Sequence, residues 1–236
     1  MKSILTICQE AADLAAVKRP DSLFSSSSMS DGIFLSVARS ALDSLLRYGD
    51  WPELTKEAEF ITNPRQKNYP LAEICSDFYA MLPNTIYIKD SAEKIIGAIN
   101  PEVWMRSKYF YDDNGLVKFK LQNGILKFLN LPSAPIKIVF QYRADTICYA
   151  ADTYQEKSIL TSDTDIPVFD EYLVKLGVLW RWLKRSGLDY AEEYAEYENE
   201  IKKKYSANNV AQDIALDCYT IDPLEQGVKI NVKVIH

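Results

Sequence analysis

Residues 165–205 read "DIPVFDEYLVKLGVLWRWLKRSGLDYAEEYAEYENEIKKKY", and this stretch predicts two helices joined by a short turn. In its first half, apolar residues recur at the i, i+3 and i+4 spacing of a helix with one buried face. These residues are Phe169, Tyr172, Leu173, Leu176, Leu179, Trp180 and Leu183. We expect this helix to begin at Asp165, with Pro167 near its first position, and to stop at Gly187.

The second predicted helix runs from Leu188 to about Ser206 and carries a narrow aromatic stripe. At 100° per residue the stripe contains Tyr190, Tyr194, Tyr197, Ile201 and Tyr205, whereas the other positions are mostly charged. Two helices joined so tightly form an αα-hairpin. We therefore expect the tyrosine stripe to pack in part against the preceding helix.

Two further helices are predicted before this hairpin in the sequence. Ser3 is a good N-cap for a first helix that ends at Lys18-Arg19-Pro20, and a serine-rich connection follows it. A second helix is expected from Asp31 to Tyr48, with Gly49 directly after its end. Its buried face would consist of Phe34, Val37, Ala38, Ala41, Leu42 and Leu45.

Between these helical parts, the pattern changes to short β-rich runs. The predicted strands are Glu57–Thr62, Thr85–Lys89, Lys94–Ile99, Val117–Gln122, Ile125–Leu129, Ile136–Arg143 and Thr146–Ala151. Asn123-Gly124 lies between two of these runs, which is typical of a type I′ hairpin. Asn100–Met105, with Pro101 near its start, is predicted to be a short helical turn.

The last 30 residues contain one clear pattern, an alternation over Val228–Ile235. Val228, Ile230, Val232 and Val234 would share the apolar face of a terminal strand. Such a strand either completes its own sheet or adds to the sheet of another chain.

Together these patterns predict an α+β fold: a helical bundle that carries an inserted antiparallel β-rich domain and an extended C-terminal tail. The expected parts are residues 1–56, the N-terminal helices of the bundle; 57–162, the β-rich insertion; 163–206, the C-terminal helical hairpin; and 207–236, the extension with the terminal strand.

Composition argues against several classes of function. The chain of 236 residues has a formal net charge of −6 and 15 tyrosines, and the acidic balance argues against a protein built to grip nucleic-acid phosphates. The only histidine is His236, so Ser-His-Asp hydrolysis, Cys-His proteolysis and histidine-ligated zinc are not expected. Glycine-rich nucleotide-binding loops are missing as well.

The cysteines at positions 8, 75, 148 and 218 are widely spaced and form no Cys-x-x-Cys pair. We interpret them as reduced thiols and expect no metal, disulfide or cofactor. The longest apolar runs are far shorter than the 18 residues that would suggest a membrane span, so no membrane association is expected.

Four segments resemble, in the same order, segments of the adaptor (head-to-tail connector or tail accessory) proteins of short-tailed bacteriophages. They are "SSSSMSDGIFLSVARSALDSLLRYGDWPELTKEAEF" (25–60), "YPLAEICSDFYAM" (69–81), "IIGAINPEVWM" (95–105) and "DTDIPVFDEYLVKLGVLWRWLKRSGLDYAEEYAEYENEI" (163–201). The second segment departs from the family's usual Y-x-L-P-x-D-F, because the Leu-Pro turn is missing, and we expect it to be more extended there.

The resemblance implies a mechanical role in the virion. Adaptors of this kind form a twelve-fold ring beneath the portal protein, extend the DNA channel and attach the tail nozzle and the tail spikes or fibres. DNA would pass through without specific binding, and the protein would be assembled in the host cytoplasm. The suspected subunit or portal interface consists of Tyr190, Tyr194, Tyr197, Trp180, Arg181, Trp182, Val228, Ile230, Val232 and Val234.

Two other classes of function stay open. One is a carboxylate-based cell-wall glycan hydrolase of the virion, which would need only two acidic residues. Its densest candidates are Glu192, Glu193, Glu196 and Glu198, which the helical pattern places on a solvated face. The other is a cytosolic α+β module that binds one protein partner and never enters a particle. Neither an adaptor nor a binding module is expected to have enzymatic activity.

Overall fold

The chain is mixed α+β, with helices before and after a set of antiparallel sheets. The computed structural model describes residues 1–25, 28–89, 91, 93, 95–109 and 115–217, and side chains through residue 206. The combination of helices and antiparallel sheets agrees with the predicted α+β fold class. The terminal strand predicted at Val228–Ile235 lies outside the described residues.

Six α-helices lie in the described part of the chain. They are α1 (Ile4–Leu14), α2 (Met29–Tyr48), α3 (Leu71–Ile74), α4 (Pro101–Tyr109), α5 (Glu171–Arg185) and α6 (Ala191–Asp217). Helix α5 is central among the long helices, because it contacts α1, α2 and α6.

In the residues that the structure describes, ten short strands form three antiparallel sheets. They are β1 (Thr55–Ile61), β2 (Asn68–Pro70), β3 (Phe78–Met81), β4 (Tyr87–Ile88), β5 (Lys118–Gln122), β6 (Ile125–Leu129), β7 (Lys137–Ala144), β8 (Cys148–Tyr149), β9 (Glu156–Lys157) and β10 (Ile166–Pro167). In the first sheet β7 pairs with β1, β3 and β4; the other two have the orders β2-β6-β5 and β10-β8-β9.

The first helix starts as predicted, but its predicted end at Lys18-Arg19-Pro20 is wrong, because α1 ends at Leu14 and the chain leaves the helix at Ala16, whose φ is 52°. The hydroxyl of Ser3 accepts a hydrogen bond from the Thr6 backbone N–H at 3.3 Å, which is the predicted N-cap of α1. Helix α2 begins at Met29, two residues before the predicted Asp31, and ends at Tyr48 as expected. Its predicted apolar face is buried throughout.

The predicted start of α5 at Asp165 is wrong. Ile166–Pro167 is strand β10, which pairs with β8, and the helix begins at Glu171. Asp170 is the actual N-cap, since its carboxylate accepts hydrogen bonds from the N–H groups of Tyr172 and Leu173 at 3.0 and 3.1 Å. Proline is compatible with the edge of a sheet as well as with the first turn of a helix, so Pro167 was ambiguous.

The turn after α5 lies where the sequence predicts it, but the next helix has different bounds. Gly187 has a φ of +73°, the left-handed conformation that glycine favours after a helix. Helix α6 begins at Ala191 instead of Leu188 and continues to Asp217, beyond the predicted end near Ser206.

The β region matches the sequence best at its hairpin. Asn123 and Gly124 have φ angles of 53° and 70°, as a type I′ turn requires, and β6 has the predicted bounds. Lys94–Ile99 is not a strand in its described residues, which contain only an isolated bridge from Ile96 to Lys118. The Thr146–Ala151 strand shortens to Cys148–Tyr149.

Other local expectations also changed. Leu71–Ile74 is a short helix, so the segment that lacks the Leu-Pro turn is not extended at this point. The helical turn predicted at Asn100–Met105 is the nine-residue helix α4, Pro101–Tyr109. Strands β2 and β3 had no periodic signal, because strands of three and four residues are too short to show one.

The buried apolar residues form two clusters that share no member. The helical cluster includes α1, α2 and α5 together with Trp51, and the sheet cluster includes the inner faces of the first two sheets. Arg143 joins them, since it lies at the end of β7 and its guanidinium donates hydrogen bonds to the Gly49 carbonyl and, at 3.0 Å, to Asp50. The same guanidinium lies 4.7 Å from the ring centroid of Tyr79.

Asp165 fixes the loop beside α1. Its buried carboxylate accepts hydrogen bonds from the N–H groups of Thr161 and Ser162 at 2.7 and 2.9 Å and from the Lys157 ammonium at 2.7 Å. Its backbone carbonyl accepts the N–H of Ile4 at 2.8 Å. Burial opposes ionisation, but the hydrogen bonds from Lys157 and the two N–H groups outweigh it, and the pKa of Asp165 lies below its ordinary value.

Substitution Asp165→Asn should lower the free energy of unfolding at pH 7 by about 2–3 kcal/mol, because it removes a buried charged acceptor. The stabilisation by a carboxylate with a lowered pKa is present above the unfolded-state pKa, about 4, and is lost as the pH falls through the folded-state value. Urea unfolding at pH 7 and pH 3 should therefore show a difference from wild type that shrinks in acid. The control Asp152→Asn, at an exposed position, should change little at either pH; equal losses in both variants would contradict the prediction.

Candidate interaction surface

The α5–α6 hairpin displays an aromatic and basic surface centred on Trp180. The Trp180 ring lies 6.2 Å from Tyr190, 5.0 Å from Tyr194 and 6.1 Å from Tyr197, measured between ring centroids. The Tyr194 contact is edge-to-face, with 74° between the ring planes. We call Trp180, Arg181, Lys184, Tyr190 and Tyr194 the hairpin surface.

The tyrosine stripe is only partly covered by the chain itself. Tyr197 and Ile201 are buried, at 5% and 1% exposure, whereas Tyr194 is 39% exposed and Tyr190 is half-buried. The prediction that the stripe packs in part on the preceding helix is therefore confirmed. The remainder of the stripe, around Tyr194, stays exposed.

Tyr205 continues the stripe onto a different neighbour. Its ring lies 5.4 Å from Tyr48 and 6.0 Å from Trp51, in both cases edge-to-face. Any side chain at Gly49 would overlap the Tyr205 ring, so glycine is needed there to let α6 approach the end of α2. Sequence patterns identified Gly49 only as a helix stop and did not predict this contact.

Arg181 contributes a half-buried positive charge to the hairpin surface. Its guanidinium lies 4.2 Å from the Trp180 ring centroid and 5.5 Å from that of Tyr197, and it donates a hydrogen bond to the Gly177 carbonyl at 2.8 Å. Desolvation lowers the pKa of Arg181, although the nearby Tyr197 opposes this shift. Within the described residues no carboxylate pairs with Arg181. The faces of the Trp180 and Tyr197 rings stabilise its positive charge instead.

The three residues of the Trp180-Arg181-Trp182 triplet do not act together. Trp182 points to the other side of α5 and stacks on Phe34 of α2, with 5.8 Å between ring centroids and 15° between planes. Trp180 faces α6, and its indole N–H is buried without a hydrogen-bond partner among the described residues. Trp182 therefore packs α5 against α2, whereas Trp180 and Arg181 belong to the hairpin surface.

Val228, Ile230, Val232 and Val234, the remaining residues of the suspected interface, lie outside the described residues. Their assignment to an interface stays a prediction.

The acidic residues of α6 are the candidates for glycan hydrolysis, and the structure gives the surroundings of three of them. Glu192 and Glu196 are exposed, and Glu196 accepts a hydrogen bond from the Tyr172 hydroxyl. A hydrogen bond from Lys202, with a second from Tyr194, holds the pKa of Glu198 below its ordinary value. A general acid requires a raised pKa, so no observation on this helix favours the hydrolase.

The described cysteines are free, buried thiols. Burial raises the pKa of Cys8 and Cys148 to about 12 and that of Cys75 to about 11, so these groups stay protonated at neutral pH. Cys218 lies outside the described residues. Among the residues that are described, no three acidic, cysteine or histidine side chains are grouped as a metal site would require.

A concave region lies beside the N-termini of α1 and α5, with a volume of about 680 Å³. Two ion pairs lie in its lining, since Lys2 contacts Glu10 and Lys204 contacts Asp170 at 2.9 Å, and Glu53 lines the same region. Over the described part of the chain, no helix has the length and apolar character that crossing a membrane demands.

No protein-family model matches the sequence, and no curated protein matches it either. Function must therefore be inferred from the residues, their contacts and the resemblance of the four segments.

Proposed function

We propose that this chain is a structural protein of a short-tailed bacteriophage virion, the adaptor between head and tail. It binds the portal protein, forms a twelve-fold cyclic ring and extends the DNA channel. The ring carries the tail nozzle and the tail spikes or fibres. The protein is made and assembled in the host cytoplasm, and its final location is the junction of head and tail.

The observation that carries this proposal is the resemblance of the four segments, in order, to this class of adaptor. The contacts between these segments support it. Phe34 of the first segment stacks on Trp182 of the last, and Ala41 approaches Gly177. The first and last of the resembling segments thus pack against each other within the helical cluster, whereas the second and third contribute to the sheet cluster.

The same proposal includes the finer architecture. Helices α1, α2, α5 and α6 form the helical bundle, and residues 57–162 form a β-rich domain inserted into it. The C-terminal extension provides a strand that pairs within its own subunit or with a neighbour. Residues 1–56 and 163–206 together make up the bundle.

A cyclic ring needs two different, complementary faces on each subunit. The hairpin surface has the composition of one such face, since Tyr, Trp and Arg are enriched at protein interfaces. The unpaired Arg181 charge would complement an acidic or carbonyl group of the neighbouring subunit or of the portal. The tail strand containing Val228, Ile230, Val232 and Val234 would supply a second contact.

The net charge of −6 suits a conduit for DNA, because an acidic wall repels phosphates and lets the polymer slide. No catalytic group, cofactor or metal is needed for this role.

Negative-stain imaging of the purified protein, alone and mixed with the portal from the same genome, tests the proposal. We expect twelve-fold rings bound at the narrow end of the portal, even where the isolated protein is a monomer. Clean portal rings with nothing bound would overturn it. A stable 1:1 complex with another protein would indicate a partner-binding module, and clearing of cell-wall material in a gel that a Glu→Gln variant abolishes would indicate a hydrolase.

A further inference from the structure

The outward face of the β2-β6-β5 sheet carries a concentration of lysines. Strands β5 and β6 pair so that Lys120 lies directly opposite Lys127, and their side chains are half-buried. Lys67, beside β2, and Lys108, at the end of α4, border the same depression, which has a volume of about 730 Å³. We call Lys67, Lys108, Lys120 and Lys127 the lysine groove.

Among the described residues, no acidic side chain neutralises the lysines of the lysine groove. The Lys127 ammonium donates a hydrogen bond to the Gln122 amide oxygen at 3.3 Å, and the Lys120 ammonium lies 4.7 Å from the Trp104 ring centroid. No described carboxylate forms a salt bridge with any of the four lysines, and none lines the groove. Like charges directly opposite each other destabilise a strand pair, so this arrangement favours a bound anion.

The charge of the chain is unevenly distributed. Residues 62–70 and 101–130 contain seven Lys or Arg and three acids, which leaves 20 basic residues against 30 acids elsewhere. The formal charge of −6 therefore hides a locally basic surface. A patch of one sign against a background of the other attracts partners of the opposite charge.

We propose that the lysine groove binds the phosphodiester backbone of nucleic acid. Its basic side chains are all lysines, and lysine acts on phosphate as a point charge. No arginine is among the described residues that line the groove, so its contacts to a bound polyanion are point-charge contacts without the directional fork that arginine offers to carboxylate or phosphate. The groove belongs to the single chain, so binding does not require ring assembly or a portal.

The groove does not read bases. Trp104 is 8% exposed, and Lys120 lies over its ring, so its face is not available for stacking a base. The charged side chains of the groove are all lysines, which contact phosphate oxygens without distinguishing one base from another. Binding is thus expected to depend on salt and hardly on sequence.

Fluorescence anisotropy of the full chain with labelled single-stranded and duplex DNA of about 30 nucleotides tests the proposal. At about 50 mM salt, the double variant Lys120→Gln/Lys127→Gln should bind at least about tenfold more weakly than wild type. The slope of log K against log salt should become shallower by about 2 for the duplex, since each phosphate contact contributes about 0.9.

The matched control is Lys202→Gln/Lys203→Gln, which removes the same charge from exposed positions on α6. It should change affinity less than about twofold. An equal loss in both double variants would show that only net charge matters and would overturn the proposal, as would the absence of salt-dependent binding by wild type. Displacement of DNA by a lower concentration of polyglutamate would identify an acidic protein as the ligand instead.

A third variant separates binding from folding. Lys127→Glu places an acid opposite Lys120 and should raise the melting temperature while it weakens binding at least about tenfold, since it changes the charge of the groove as much as the double variant does. A lower melting temperature together with lost binding would mean that Lys127 serves the hairpin itself, and the proposal would fail.

Discussion

Replacing Trp51 by alanine should lower the free energy of unfolding by about 3–5 kcal/mol. Trp51 is 4% exposed, and its indole N–H donates a hydrogen bond to the Leu45 carbonyl at 2.7 Å. Its ring packs edge-to-face on Phe169 and Tyr205, at 5.8 and 6.0 Å. The substitution therefore creates a large cavity, leaves a buried carbonyl unpaired and removes the partner of α6.

Urea unfolding of the full chain measures this loss of stability. Two further variants serve as references for its size. Trp51→Phe keeps an aromatic ring but loses the indole N–H, so we expect a loss of about 1–2 kcal/mol. Tyr109→Ala, at a position 61% exposed, should change stability by less than about 0.5 kcal/mol. A loss below about 1 kcal/mol for Trp51→Ala would contradict the buried placement of this ring.

Tyr194→Ala should leave the monomer folded but prevent assembly on the portal. Tyr194 is 39% exposed, and within the chain it contacts the Trp180 ring and donates a hydrogen bond to Glu198 at 2.9 Å. Losing these contacts should cost about 1 kcal/mol. If the hairpin surface is a subunit interface, losing a central tyrosine should weaken assembly by at least about tenfold.

Tyr197→Ala is the matched comparison, because Tyr197 is in the same stripe but only 5% exposed. It should cost about 3–4 kcal/mol of stability whether or not a ring forms. Thermal melting and negative-stain counts of decorated portals measure both effects. Normal decoration by Tyr194→Ala would remove Tyr194 from the interface, whereas failure of the wild type would remove the adaptor proposal itself.

The long helices were predictable because their apolar residues repeat over several turns. The start of α5 was not, since Asp165 and Pro167 resemble a helix start locally while long-range pairing with β8 makes Pro167 part of a strand. The side chain of Asp170 caps the first turn of α5. The local sequence does not show this, because Asp170 can be the N-cap only if the residues before it belong to the sheet.

Short strands and contacts between distant residues could not be predicted from the sequence either, because they depend on pairing with residues far along the chain. Strand β3 has four residues, pairs with β7 about 60 positions away and contains a register shift between Phe78 and Ala80. The contact of Tyr205 with Gly49 likewise depends on how α6 lies against α2.

The hairpin surface and the lysine groove differ in how much of each can be predicted from the sequence. The tyrosine stripe was visible, but which tyrosines are exposed depends on the packing of α5 and α6. The opposition of Lys120 and Lys127, in contrast, follows from a two-residue turn at Asn123-Gly124, and counting outward from that turn would have revealed it.

The two separate hydrophobic clusters have a consequence for how the chain opens. Over the described residues, the backbone passes between them from Leu54 to Ala58 and from Ala144 to Ile147, and Arg143 spans the junction. Cooperative units that share few contacts open with different free energies. Amide hydrogens of β5 and β6 should thus exchange with solvent without unfolding α2 or α5.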